Sequence, residues 1–228
     1  MHVIQVCLIL ARLACDMGVR MYEKIQVSRV LTANSRVAAV ETDHGTIKCD
    51  YFVNSAGFWS RSLGKKTMPQ VKVPVQAVEH YYLHTKKVAG IDEDMPAVRD
   101  MDGHIYIRVK DGAYLSGGFE PMARPVFEDG SLPLSFDDST LDVDWDHVTP
   151  LLEQMALRLP NLRTALLEKL CNGPESFSPD CKWVIGQASE VDNYFVATGM
   201  KSLGIASAGG VAEHISEWIV SGKVFSRS

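Results

Sequence analysis

From residue 3 the apolar positions fall at Val3, Val6, Cys7, Leu10, Leu13, Ala14 and Met17, three and four residues apart, with Gly18 next. That spacing predicts an amphipathic helix over 3–17, closed by a glycine and turned toward a core. A secretory leader would carry Lys or Arg ahead of its apolar stretch, and none stands there. Further on, the period shortens to two. Residues 19–23, 25–31 and 37–42 read as strands, the last two joined by the polar turn Ala33-Asn34-Ser35-Arg36. His44-Gly45 marks a tight turn. Residues 46–54 read as one strand whose end, Tyr51-Phe52-Val53, is continuously apolar, as buried parallel strands are. Ser55-Ala56-Gly57 ends it, and 58–64 reads as a short helix.

Proline and lysine gather over 67–74, marking a crossover into a second domain. Residues 73–85 alternate: Val75, Ala77, Glu79, Tyr81 and Leu83 share one face, and Gln76, Val78, His80, Tyr82 and His84 the other. Residues 97–99 are a short extended piece. A hairpin over 105–109 and 113–117 turns at Asp111-Gly112. Residues 119–142 read as irregular. Val148, Leu151, Leu152, Met155 and Leu159 mark a helix that stops at Pro160. Residues 168–185 include a loop over 173–180. The chain then closes on its most organised stretch. Tyr194-Phe195-Val196-Ala197 predicts a buried strand, a small-residue loop runs from Gly199 to Gly204, and beyond Gly209-Gly210 the residues Val211, Ile215, Trp218 and Ile219 line one helical face. Strand, glycine loop and helix start can aim backbone N–H groups at an anion. The same pattern also suits an ordinary strand-to-helix turn.

Composition narrows the class. Hydrophobic residues make up 46% and charged residues 22% of 228, an ordinary globular balance with no basic stripe, and the net charge of −5 argues against nucleic acid as a partner. Acidic residues thicken at Asp137, Asp138, Asp142, Asp144 and Asp146, as in a solvated loop entering a helix. Five cysteines at 7, 15, 49, 171 and 181 include no C-x-x-C pair and read as reduced thiols, without a zinc site. No apolar run approaches the roughly 20 residues of a membrane span.

Three stretches, VNSAGFWSRSLG (53–64), GPESFSPDCKWVIG (173–186) and YFVATGMKSLGIASAGGVAEHISEWI (194–219), resemble the flavin-dependent amine oxidoreductases of the D-amino-acid oxidase superfamily, which includes sarcosine and dimethylglycine dehydrogenases. AVEHYYLHT (77–85), GHIYIRVKDGAYLSGGFE (103–120) and WDHVTPLLEQMALRLPNL (145–162) resemble its branch of pyruvate dehydrogenase phosphatase regulatory subunits. The resemblance implies an α/β architecture: a partial Rossmann-like FAD-binding domain from 1–64 and 187–228, interleaved with an antiparallel-sheet substrate domain over 65–186. The family's G-x-G-x-x-G turn is not in this sequence, so the expectation is a piece of a longer protein whose own FAD binding is in doubt.

The resemblance also implies roles. Ser55, Ala56, Gly57 and Trp59, with Gly199, Met200, Lys201, Ser202 and Gly204, fall where relatives approach the flavin, and Lys201 would stabilise an anionic reduced ring. Lys201 also reads as a solvated surface lysine. His80 and Tyr106 match the active-site His and Tyr of dimethylglycine-oxidising relatives. Arg108, on the face of Tyr106, would pair with a carboxylate. Each also has a structural reading: His80 as a core histidine, Arg108 as a sheet-edge ion pair. The implied partners are a small N-methylated amine or the phosphatase catalytic subunit, and the implied compartment is the mitochondrial matrix. An enzymatic site would lie in a sealed aromatic pocket beside His80 and the glycine loop.

Overall fold

A computed structural model describes residues 3–128 and 141–223. The chain divides into two compact units, residues 1–75 with 178–228, and residues 76–177. Asp137 and Asp138 lie outside the described residues.

In the first unit, helix α1 (Val3–Asp16) forms where its spacing predicts, but it is not a core helix: none of its residues is buried, and Ile4, Leu8 and Leu10 are 60%, 64% and 56% exposed. Residues 19–23 form no strand. They are exposed and meet no pairing partner, and the backbone turns at Lys24 with φ 57°. Strands β1 (Val27–Ala33), β2 (Arg36–Thr42) and β3 (Gly45–Lys48) make an antiparallel meander. Asn34 and Ser35 both adopt positive φ, the geometry of a tight two-residue hairpin, and bring Val30 opposite Val40.

The expected single strand over 46–54 is two. Residues up to Lys48 finish the meander, while β4 (Phe52–Asn54) joins a different sheet. One stretch serves two sheets, so it must break between them. In the second sheet β4 runs parallel to β13 (Tyr194–Thr198), which pairs antiparallel on its other side with β12 (Val184–Gln187). Val30, Val37, Val40, Val71, Val73, Val75, Val191, Tyr194 and Val196 form the core of this unit. A 3-10 turn, Gly57–Trp59, leads from β4 into α2 (Ser60–Lys65). A second, Lys201–Leu203, leads from β13 into α4 (Gly204–Ser221). Helix α4 therefore starts ahead of Gly209-Gly210, which lie inside it. A Cβ at either would meet nothing, so these exposed glycines cost only their propensity, about 1 kcal/mol each. Ile215 is buried, and Val211, Trp218 and Ile219 are half-buried, so one face of α4 packs.

The second unit is built on an antiparallel sheet in the order β10 (Leu167–Asn172), β6 (Tyr81–Thr85), β9 (Ala113–Gly118), β8 (Ile105–Lys110), β7 (Val98–Asp100). Strand β5 (Gln76–Val78) pairs with β11 (Glu175–Phe177). Glu175-Ser176-Phe177 fall within the loop expected over 173–180. They are a strand because they continue the line of β10 past Gly173-Pro174 and find β5 as partner. One sheet face packs on α3 (Trp145–Arg158), enclosing Tyr81, Leu83, Ile105, Ile107 and Tyr114 with Val148, Leu151 and Met155. A Cβ on Gly118 would sit 2.6 Å from a Leu151 methyl, so glycine there admits the helix. Asp144 caps α3 by accepting from the His147 N–H at 3.1 Å, and its own N–H donates to the Tyr81 hydroxyl at 3.1 Å.

Candidate active site

The cofactor-side candidates share one place in the first unit. Because β4 and β13 are parallel and in register from Tyr194 opposite Phe52 to Val196 opposite Asn54, their following loops leave the same edge of the sheet. Carboxyl ends of parallel strands are where open α/β sheets receive ligands. Asn54, 1% exposed, shapes the first loop: its amide donates to the Ser60 carbonyl at 3.0 Å and to the Tyr194 hydroxyl at 2.9 Å, and its oxygen accepts from the Ala56 N–H at 3.3 Å. The Thr198 hydroxyl donates to the Gly57 carbonyl at 2.8 Å and ties the two loops together. Gly57 (φ 55°) and Gly199 (φ 74°) take left-handed conformations, and a Cβ on Gly57 would enter open space. Ser55 is exposed, and Ala56 and Gly57 are half-buried. Trp59 is half-buried with its ring 4.0 Å from that of Phe58. Met200, Lys201 and Gly204 are half-buried and Ser202 is exposed; Lys201 has φ 53°. Small residues, left-handed turns and one cation fit a planar group that becomes anionic.

The second group lies wholly in the other unit, on the sheet face turned away from α3. Cross-strand register lines up Arg99, Tyr106, Gly117, Tyr82 and Cys171 in one row. Gly117 is the reason Tyr106 lies flat: a Cβ there would come within 2.3 Å of the Tyr106 hydroxyl. The His80 and Tyr106 rings stack with centroids 6.4 Å apart. Phe119 closes the group, 5.0 Å from His80 and 5.9 Å from Tyr106, and the Arg99 guanidinium lies 5.0 Å over the Phe119 ring. The structure thus brings His80 and Tyr106 together. Arg108 stands two residues along β8 from Tyr106, exposed, and opposes Leu115.

Burial lowers the pKa of His80, with the charge of Glu175 acting against it, so the imidazole is biased to its neutral form. Burial first, then Glu175, raises Tyr106 to about 12, which keeps the phenol a hydrogen-bond donor across the physiological range. Glu120 follows Phe119 with its side chain 7% exposed and is pushed up to about 7, chiefly by burial and then by Glu79 and Glu175. Its carboxylate lies 3.9 Å from His147, too far for a hydrogen bond.

Three residues of this face, Phe119, Arg99 and Glu175, escaped the sequence reading. Phe119 opened a stretch without period, Arg99 sat on a three-residue piece, and Glu175 lay in an expected loop. The available signal was register: a hairpin at Asp111-Gly112 sets Tyr106 opposite Gly117 and leaves Phe119 one step off the end of β9.

Residues 1–218 match the family described as FAD dependent oxidoreductase. The mitochondrial pyruvate dehydrogenase phosphatase regulatory subunit of Mus musculus is 41% identical over 95% of this chain and 25% of its own length. The mitochondrial sarcosine dehydrogenase of Mus musculus is 38% identical over 95% of this chain and 24% of its own. Among solved structures, L-proline dehydrogenase from P. horikoshii superposes with a TM-score of 0.78 at 22% identity, over 93% of this chain and 54% of that one. The chain spans about a quarter of the length of the curated relatives it matches.

Proposed function

Because the chain belongs to the FAD-dependent oxidoreductase family, we propose that it forms the flavin-loop and amine-binding parts of a mitochondrial flavoprotein of the pyruvate dehydrogenase phosphatase regulatory type. The similarity to that regulatory subunit supports this reading, and the phosphatase catalytic subunit is then the partner of the whole protein. The loops 55–57 and 199–204 would hold the flavin through backbone N–H groups, with Lys201 balancing charge on the reduced ring. FAD, when bound, accepts a hydride from a carbon next to nitrogen.

A second reading, a dehydrogenase of N-methylglycines in its own right, is favoured by one observation, the stacked His80–Tyr106 pair. A substrate amine must be neutral for its lone pair to support hydride loss. An imidazole held neutral by burial can take up the ammonium proton, and a phenol that stays protonated can orient the amine or carboxylate by donating to it. Arg99 and Arg108 are the guanidiniums of this face for a substrate carboxylate.

Protein expressed from its complete gene, purified with FAD and mixed anaerobically with sarcosine or dimethylglycine, separates the two. Bleaching of the flavin at a rate that sustains turnover supports the dehydrogenase. A flavin that stays oxidised, in a protein that changes the activity of the phosphatase catalytic subunit, supports the regulator. Neither response would overturn both.

A further inference from the structure

The His80 face has a carboxylate at its margin that no role above uses. Strand β11 places Glu175 opposite Val78, and the pairing continues to the Gly173 N–H, which donates to the His80 carbonyl at 2.9 Å. Residues 171, 173 and 175 therefore share a face with 78, 80 and 82, and Glu175 is the diagonal cross-strand neighbour of His80. Between them stands Gly173, where a Cβ would meet nothing within 4 Å. Open room is thus bounded by an imidazole on one side and a carboxylate on the other. The charge of Glu175 reaches His80, Tyr106 and Glu120, which agrees with a position beside this cluster. At the other margin, the Arg99 cation covers Phe119. An aromatic floor flanked by a negative and a positive group matches a zwitterionic amino acid.

We propose that Glu175 is a specificity-determining residue that selects secondary over tertiary amines by accepting the N–H of an N-methylamino acid seated on the His80–Tyr106–Phe119 face. The inference rests on the amine-binding reading of that face. A secondary ammonium keeps a spare N–H after one proton is directed to His80, whereas a tertiary ammonium has only one N–H in all. The half-buried carboxylate gains a hydrogen bond from the secondary amine that the tertiary amine cannot give it. The site therefore discriminates by a hydrogen bond rather than by methyl volume, and a hydrogen bond to a charged group supports about 10- to 100-fold preference.

The test uses FAD-loaded protein from the complete gene, with sarcosine and dimethylglycine as the paired probes. Calorimetry gives their dissociation constants, and anaerobic stopped-flow gives flavin reduction. For the native protein, sarcosine is expected to bind about 10- to 100-fold more tightly. E175Q, which keeps an acceptor, should retain part of that ratio, and E175L should bring it to within about threefold of unity, chiefly by weakening sarcosine. Equal loss of both ligands in E175L, or an unaltered ratio, overturns the proposal. E175Q serves as the folding control, read by its thermal melt. If the native protein binds sarcosine selectively but never reduces its flavin, the dehydrogenase reading fails and the role of Glu175 stands. If flavin is reduced without selectivity, the reverse holds. If neither probe binds, both fall.

Discussion

Two glycines side by side on β9 do opposite jobs, and the difference is testable at single residues. Gly118 faces α3 and admits Leu151, while Gly117 faces the other way and admits the Tyr106 ring. Gly117→Ala should displace Tyr106 and cost about 1–3 kcal/mol in chemical denaturation, as overpacking does. In a Tyr106→Ala background the same change should cost much less, since the clashing ring is gone, and equal costs in both backgrounds would exclude the pairing. A second residue-scale prediction concerns Glu120. Its folded pKa of about 7 stands above the ordinary carboxyl value of 4.5, so the native state holds the proton more tightly than the unfolded chain. Its contribution is present in full below about pH 4.5 and declines as pH rises toward 7. The span corresponds to about 3 kcal/mol. E120Q, a permanent mimic of the protonated form, should flatten the stability profile between pH 5 and 7 and be the more stable protein at pH 8. Urea titrations across that range would show it, and an unchanged slope would mean that Glu120 ionises freely.

At the scale of elements, the loop after β4 depends on one buried amide. Asn54 donates twice and accepts once, and in doing so joins β4, α2 and β13. Asn54→Leu leaves the Ser60 carbonyl, the Tyr194 hydroxyl and the Ala56 N–H without their partner, and is expected to cost about 2–4 kcal/mol. Loops 55–57 and 199–204 share this support through the Thr198–Gly57 bond, so FAD affinity should fall together with stability. A variant destabilised in denaturant with undiminished FAD affinity would separate these loops from the cofactor. Elements were the most legible part of the sequence: the hairpin at Asn34-Ser35, the hairpin at Asp111-Gly112 and the helix ending before Pro160 carry their own local signals. Strand 46–54 was not legible as two pieces, because Asp50 alone, without Gly or Pro, is a weak break and the competing demands of two sheets divide it. The candidate site was legible in part for the same reason. His80 and Tyr106 stood out by resemblance to flavoenzymes, whereas Phe119, Arg99 and Glu175 join them only through cross-strand register, which no local pattern encodes.

At the scale of the whole molecule, the governing feature is apolar surface on α1 that packing among the described residues leaves uncovered. The spacing over 3–17 predicts an amphipathic core helix, yet amphipathicity says only that a face seeks a partner and not that the chain supplies one. Ile4, Leu8, Ile9, Leu10 and Leu13 are each more than half exposed, on a helix without a single buried residue. Burial of such side chains is worth about 1.5–3 kcal/mol apiece, so several together make self-association favourable at micromolar concentration. The 228-residue chain in isolation is therefore expected to elute as oligomers or aggregates, and to bind a hydrophobic dye without denaturant. Replacing Leu8 and Leu10 by Lys should reduce both signals while leaving the melting of the second unit unchanged, because that unit has its own core around Tyr81, Ile105 and Val148. A monomeric elution profile with one cooperative melt would mean that α1 docks on the rest of the chain. Its apolar face would then be a packing surface of this chain after all, as the periodicity by itself suggests.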